Sequence, residues 1–101
     1  MATICTAYEA LTVTNAVKTL TAAKLVPTTG RFAGQLASSV LVSVETDAIR
    51  YTFDPATTVS ATVGAHMAAT DSMTFTTSLL TFSCFRVTND AKLHVHYFHD
   101  A

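Results

Sequence analysis

Residues Ser39–Asp54 read SVLVSVETDAIRYTFD, and the alternation in this stretch decides the fold class. Apolar and polar residues alternate on both sides of Thr46–Asp47, and both halves are rich in β-branched and aromatic side chains, which is typical of strands. With Thr46–Asp47 as the loop, the stretch predicts a β-hairpin whose outer face sets Arg50 opposite Ser43 and within reach of Glu45. Its core face would hold three facing pairs: Val44 with Ile49, Val42 with Tyr51, and Val40 with Phe53.

A second stretch with the same period runs from Phe82 to Phe98. Asn89 and Asp90 tolerate left-handed backbone angles, so Asn89–Ala91 is a reasonable hairpin loop. The predicted core pairs are Val87 with Leu93, Phe85 with Val95, and Ser83 with Tyr97. The predicted pairs on the other face are Arg86 with His94, Cys84 with His96, and Phe82 with Phe98.

The rest of the chain contains short elements separated by turn signals. Asn15–Leu25 combines helical spacing with threonines that suit strands, and we interpret it as a strand followed by a turn or single helical turn. The predicted elements are a first strand in Met1–Leu11 that could continue to Val13, a strand at Val17–Thr21, a helical turn at Ala22–Leu25, a long loop at Ala56–Ala69 with an extended piece at Val59–Val63 and a turn at Gly64, a strand opening at Asp71–Ser72 with Met73 and Phe75 facing inward, and a helical turn at Ser78–Leu80.

Six to eight short strands without a long helix predict an all-β fold, an antiparallel β-sandwich or a jelly-roll-like barrel. The chain has 101 residues of even composition, with no linker or internal repeat. We therefore expect a single β domain over residues 1–101.

The composition argues against several classes of function. The net charge is −1 and the basic residues are scattered, which argues against nucleic-acid binding. There is no apolar run of the ~18 residues that a membrane span needs, and the start lacks the pattern of a signal peptide. Only 13% of residues are charged, 50% are hydrophobic and the mean hydropathy is +0.37, so we expect a homo-oligomer.

Cys84, His94 and His96 form the sharpest candidate for chemistry. On the predicted second hairpin they would lie on one face, and two histidines with a cysteine are plausible zinc ligands. Arg86 and Lys92 would lie nearby and repel a cation, and no nearby carboxylate orients either imidazole. The alternative, which we favour, is that the histidines cover a polar or intersubunit face.

Cys5 and Cys84 are the only cysteines. Without a visible signal peptide they are expected to be reduced thiols, although neighbouring end strands could allow a disulfide. The acidic residues lie mostly in predicted turns, and there is no Gly-x-Ser-x-Gly motif or phosphate-binding glycine loop. Gly64–His66 is interpreted as a turn followed by a surface histidine. We assign no catalytic, cofactor-binding or metal-binding residue and expect no enzyme.

The order of several motifs resembles that of small virion structural proteins of tailed bacteriophages, over about Thr19 to Phe98. The motifs are Thr19-Leu20-Thr21, Val42-x-Val44-Glu45, Ile49-Arg50-Tyr51-x-Phe53-Asp54, Gly64-x-His66, Asp71-Ser72 and Leu93-x-Val95-x-Tyr97-Phe98. The most specific piece is I-R-Y-x-F-D followed by G-x-H.

This resemblance implies a capsid decoration (cement) protein, assembled in the host cytoplasm and located in the virion. Such a protein needs no cofactor; it would form homo-oligomers, with a trimer favoured, and would contact the major capsid protein or other virion proteins. One alternative is a tail, neck or receptor-binding component that uses the Ala56–Ala69 loop as its contact region. Another is a small metal-dependent enzyme that uses Cys84, His94 and His96.

Overall fold

The computed structural model describes residues 3–100, which form eight strands and two short helical turns. No helix in this range is long and apolar enough to cross a membrane. In chain order the elements are β1 (Thr3–Val13), β2 (Lys18–Thr19), the helical turn α1 (Ala22–Leu25), β3 (Ser39–Glu45), β4 (Ile49–Thr52), β5 (Ala65–Met67), β6 (Ser72–Phe75), a 3₁₀ turn (Leu79–Thr81), β7 (Ser83–Arg86) and β8 (Ala91–Asp100).

The strands form two antiparallel sheets of four strands each. The first sheet has the order β1-β8-β3-β6, and the second has the order β2-β7-β4-β5. The pairs β1–β8, β2–β7, β3–β6 and β4–β5 show that the first half of the chain pairs with the second half in reverse order. A long two-stranded ribbon rolled up in this way is a jelly roll, so the predicted all-β sandwich is confirmed.

The predicted hairpin at Ser39–Asp54 is wrong in its pairing. Strands β3 and β4 lie in different sheets, and the chain changes sheets at Thr46, which has a positive φ of 83°. Val42 pairs with Met73 and Val95 rather than with Tyr51. The core faces were nevertheless predicted correctly, because alternation determines which side of a strand is buried and not which strand lies beside it.

The predicted hairpin at Phe82–Phe98 is also wrong, since β7 belongs to the second sheet and β8 to the first. The inward side of β8 is as predicted, whereas that of β7 is reversed, because Phe82 and Cys84 are buried and Phe85 is only partly so. Apolar residues occupy both alternations of this segment, so its period does not identify the inner face.

The core lies between the two sheets and contains the buried side chains of β3, β8 and β7. Tyr51 and Phe53, predicted to be core residues, are partly buried and pack against it. They form an aromatic cluster with Phe75 and Phe82, in which the ring centroids of Phe53 and Phe75 are 5.1 Å apart. Met73 faces inward as expected, opposite the buried Val42, but it is 44% exposed because β6 is an edge strand.

The smaller elements agree with the sequence in most places. The first strand is found from Thr3 to Val13; Met1 and Ala2 lie outside the described residues. The short strand, the helical turn at Ala22–Leu25 and the turn near Leu79 are confirmed. The extended piece expected at Val59–Val63 is wrong, since the strand begins at Ala65.

The loop between β4 and β5 folds back over the second sheet. Arg50 donates hydrogen bonds from Nε to the carbonyl of Ala61 (3.2 Å) and from Nη1 to that of Gly64 (3.0 Å). The predicted approach of Arg50 to Ser43 and Glu45 is therefore wrong. Gly64 has a φ of 125°, and a Cβ there would lie 3.0 Å from the Tyr51 carbonyl oxygen, so this turn requires glycine.

Asp47 links the β3–β4 connection to the β7–β8 connection, and both connections cross from one sheet to the other. Its Oδ1 accepts from the backbone N–H of Ala48 (2.7 Å), and its Oδ2 accepts from the backbone N–H of Asn89 (3.1 Å). The hydrogen bond from Ala48 is the largest cause that lowers the pKa of Asp47, followed by those from Asn89. Thr46–Asp47, predicted to be a hairpin loop, is thus the connection from the first sheet to the second, and the hydrogen bond from Asn89 to Asp47 holds it in place.

We expect Asp47→Ala to lower the melting temperature at pH 7. A carboxyl whose pKa is lowered by folding stabilises the protein above its ordinary pKa of 3.8 and loses that contribution as the pH falls through the lowered value. The difference in melting temperature between Asp47→Ala and the unmodified protein should therefore be smaller at a pH below the lowered pKa than at pH 7. Asp90→Ala is the control, because its surface ion pair with Arg86 contributes little. Melting curves at pH 7 and pH 3 check this, and an undiminished difference at low pH contradicts it.

Candidate functional site: the outer face of the first sheet

The outer face of the first sheet is the candidate functional surface. It is formed by every second residue of three adjacent strands, and Tyr8 on the edge strand β1 is 49% exposed. Among residues 3–100, no side chain of this face is hydrogen-bonded to a loop, whereas on the second sheet Arg50 donates to two carbonyls of the β4–β5 loop. Its members are Tyr8, Ala10 and Thr12 of β1, Lys92, His94, His96 and Phe98 of β8, and Leu41, Ser43 and Glu45 of β3.

A chain of hydrogen bonds connects the three strands of this face. The Tyr8 hydroxyl lies 2.6 Å from Nδ1 of His94, and Nε2 of His94 lies 3.2 Å from a carboxylate oxygen of Glu45. Because the ionised Glu45 carboxylate can only accept, we assign the proton to Nε2, which leaves Nδ1 of the neutral ring to accept from Tyr8. The arrangement orients His94 and holds the tyrosine ring against the sheet.

The rest of the face is mostly uncharged. The Tyr8 ring also packs on His96, with ring centroids 4.9 Å apart. Glu45 and Lys92, which have opposite charges, are direct cross-strand partners at one end of the face. The face therefore has a weak electrostatic field and offers aromatic and aliphatic groups for contact.

The structure separates the predicted zinc ligands. His94 and His96 lie on the outer face of the first sheet, whereas Cys84 lies on the inner face of the second and its Sγ donates to the Lys18 carbonyl (3.5 Å). In the described part of the chain, no three His, Cys, Asp or Glu side chains are grouped so that they could hold a metal ion. The predicted set depended on the wrong β7–β8 pairing.

The two cysteines are free thiols in different sheets, as the sequence favoured. Cys5 is exposed near the start of β1, and Cys84 is buried in β7. Burial raises the pKa of the Cys84 thiol to about 12.

We expect native protein to react with a thiol reagent at one cysteine only at pH 8. The thiolate is the reactive form, so the buried, protonated Cys84 should not react until the protein unfolds. The native protein should release one equivalent of chromophore from Ellman's reagent and the denatured protein two. Cys5→Ser is the control, and fast reaction of this variant in the native state would contradict the burial of Cys84.

His99 is a buried histidine that our reading of the sequence did not single out. Its Nε2 lies 3.2 Å from the carbonyl of Leu25 and 3.0 Å from that of Gln35, and its Nδ1 lies 2.7 Å from the Thr6 hydroxyl. The ring stacks on Phe32. His99 thus attaches the long α1–β3 connection to the first sheet. The alternation of β8 could have predicted this burial, because His99 lies on the same side of the strand as the inward-facing residues before it.

Glu9 is the second polar group turned toward the interior. A β-bulge at Thr6 shifts the β1–β8 register, after which Glu9 lies beside Val95. The Tyr97 hydroxyl donates to Glu9 and accepts from the Thr21 N–H (3.3 Å), while the Thr21 hydroxyl donates to Glu9 (2.7 Å). Burial is the main cause that raises the pKa of Tyr97. These groups satisfy one another, so they are structural.

An open groove of about 350 Å³ lies beside the β4–β5 loop. Its Asp54 carboxylate accepts from the Ala56 N–H (2.9 Å) and the Thr57 hydroxyl (2.8 Å), which are the bonds that lower the pKa of Asp54. The groove is lined by hydroxyl and aliphatic side chains, among them Val17, Thr19, Thr58, Leu80, Thr81 and Ser83.

The outer face could be only partly recognised from the sequence. The sequence correctly placed His94 and His96 together on one side of their strand, but it did not predict their contacts with Tyr8 and Glu45. Glu45 is 49 positions from His94 and Tyr8 is 86, so the pairing of three distant strands brings them together. Comparisons with family models, with curated proteins and with solved structures found no match to this chain.

Proposed function

We propose that this chain is a non-enzymatic structural protein of a phage virion, of the capsid decoration type. In this proposal it forms homo-oligomers and binds the outer surface of assembled capsid subunits, which it stabilises by bridging them. The resemblance of its motifs to small virion proteins supports the virion assignment. Many equal and modest interfaces on one particle are sufficient for strong overall attachment.

The observation that carries the proposal is the outer face of the first sheet. It is weakly charged and carries partly exposed aromatic and aliphatic groups, with Tyr8, Leu41 and Phe98 in adjacent strands. Contiguous exposed apolar patches often mark sites of interaction with other proteins, whereas single hydrophobic residues on a surface do not. The second sheet, by contrast, carries its own β4–β5 loop, which Arg50 holds in place.

The jelly-roll topology gives independent support at the level of analogy. This architecture is used by viral capsid domains and by lectins. A fold alone does not determine a function, so the topology raises the expectation of a virion or a recognition role without choosing between them.

The test is co-sedimentation of the purified protein with capsids of the phage that encodes it. We expect saturable binding at a fixed number of copies per capsid. Leu41→Asp, which would bury an unpaired charge in the contact, should weaken binding by about tenfold or more, which is ~1.4 kcal/mol. Thr29→Asp, a surface change in the α1–β3 connection, is the matched control. Absence of binding by the unmodified protein overturns the proposal.

The groove beside the β4–β5 loop favours a second candidate, a tail, neck or receptor-binding component. The loop residues Pro55, Thr57 and Thr58 line the groove, and its other hydroxyls could bind a polar ligand such as a saccharide. Locating the protein in particles by cryo-electron microscopy distinguishes the two candidates. Density on the head supports decoration, and density on the tail or neck supports the alternative.

A further inference from the structure

The four edge strands of the sandwich differ strongly in length. Strand β1 has 11 residues, whereas β6 has 4, β5 has 3 and β2 has 2. Strand β1 pairs only with β8, and no backbone hydrogen bond joins its other side to a turn or loop of residues 3–100. A long edge strand with free N–H and C=O groups is a template for pairing with another chain.

Strand β1 also lacks most of the features by which proteins protect such edges. It contains no lysine, arginine or proline, and its single charged residue, Glu9, is bonded to Tyr97 and Thr21. Its protective features are the bulge at Thr6 and the inward-pointing Glu9, and Ala7–Val13 remains a regular strand beyond the bulge. The other edge strand of this sheet, β6, is short, which is itself protective.

We propose that β1 pairs with β1 of a second copy of this chain, antiparallel and across a two-fold axis. This inference rests on the proposed role in assembly and names the contact between copies. The pairing joins two first sheets into one continuous sheet of eight strands, and it joins the two outer faces into one larger surface.

A second copy fits this edge better than a charged partner because the strand is self-complementary. The regular segment Ala7–Val13 is centred on Ala10. Pairing about that centre places Tyr8 beside Thr12 of the second copy and Glu9 beside its Leu11, so the two carboxylates are not opposite each other. The exposed outer side of the joint would then consist of uncharged side chains.

The test compares Ala10→Lys with Thr74→Lys by size-exclusion chromatography with light scattering. Both residues are exposed on the outer face of the first sheet, Ala10 on the free edge strand β1 and Thr74 on the opposite edge strand β6. The unmodified protein and Thr74→Lys should have the mass of a dimer. Ala10→Lys should have half that mass and an unchanged circular dichroism spectrum, because two lysines would face each other across the axis.

A cross-linking variant keeps the proposal testable if Ala10→Lys fails to fold. Directly opposed residues in an antiparallel pair have Cα atoms ~4.5–5.5 Å apart, which a disulfide can span. In a Cys5→Ser background, Ala10→Cys should form a disulfide-linked dimer under mild oxidation, and Thr74→Cys should not.

Three outcomes overturn the pairing: a monomeric unmodified protein, a trimer, or cross-linking at Thr74→Cys but not at Ala10→Cys. A trimer, which the family resemblance favours, is closed by heterologous contacts, and a two-fold β1–β1 pair is not such a contact. The proposed function is judged separately by capsid binding. A capsid-binding trimer refutes the β1 pairing alone, and a dimer that ignores capsids refutes the capsid role alone.

Discussion

Val42→Asp is expected to unfold the protein. Val42 is 0% exposed in the middle of β3, where it pairs with Val95 on one side and Met73 on the other. A buried carboxylate without a partner costs several kcal/mol even after its pKa has shifted, and a domain has only ~5–15 kcal/mol of stability. The neighbouring contacts are apolar, so nothing near this position can satisfy the charge.

Leu41→Asp is the matched control for this prediction, since it places the same charge one residue away on the outer face of β3. We expect Leu41→Asp to fold and Val42→Asp to lose the near-ultraviolet circular dichroism signal and cooperative melting. A folded Val42→Asp variant with an unchanged melting temperature would show that the inner face of β3 is wrongly assigned.

Tyr97→Ala is expected to have the second largest effect. The Tyr97 ring is fully buried in β8, and its hydroxyl is bonded to Glu9 and to the Thr21 N–H. Removing a buried aromatic ring costs ~3–5 kcal/mol. Loss of the hydroxyl also leaves Glu9 with fewer donors, which adds ~1–3 kcal/mol.

Tyr97→Phe separates these two contributions, because it keeps the ring and removes only the hydroxyl. Urea unfolding should give stabilities in the order unmodified protein, Tyr97→Phe, Tyr97→Ala, with only the smaller hydrogen-bond cost for the phenylalanine variant. Equal stability of Tyr97→Phe and the unmodified protein would mean that the Glu9–Tyr97–Thr21 contacts contribute nothing.

The burial pattern was more predictable than the pairing of strands. The alternation in β3 and β8 identified their inner faces, since side chains on a strand point to opposite sides. The same alternation fits a hairpin and a jelly roll equally well, because in both arrangements the inner faces of consecutive strands meet. Only β4 and β5 pair as neighbours in the chain, and a long loop separates them. The hairpin predictions assumed that sequence neighbours are sheet neighbours, which this topology rarely allows.

The candidate site depends on the pairing of strands, which could not be predicted from the sequence. His94 and His96 were correctly placed together on one side of β8. Their contacts with Tyr8 and Glu45 arise because β8 lies between β1 and β3, a pairing over long sequence distances that periodicity does not encode. Cys84 was wrongly included because β7 has apolar residues on both sides, so its orientation was ambiguous.

The central claim is that this chain acts by association and that copies meet at the free edge of β1. Hydrogen–deuterium exchange at increasing protein concentration tests it most directly. We expect the outward-pointing amides of Ala7–Val13 to become protected as the concentration rises, while the edge amides of β6 and β5 exchange at unchanged rates. Exchange along β1 that stays fast at every concentration would contradict the account.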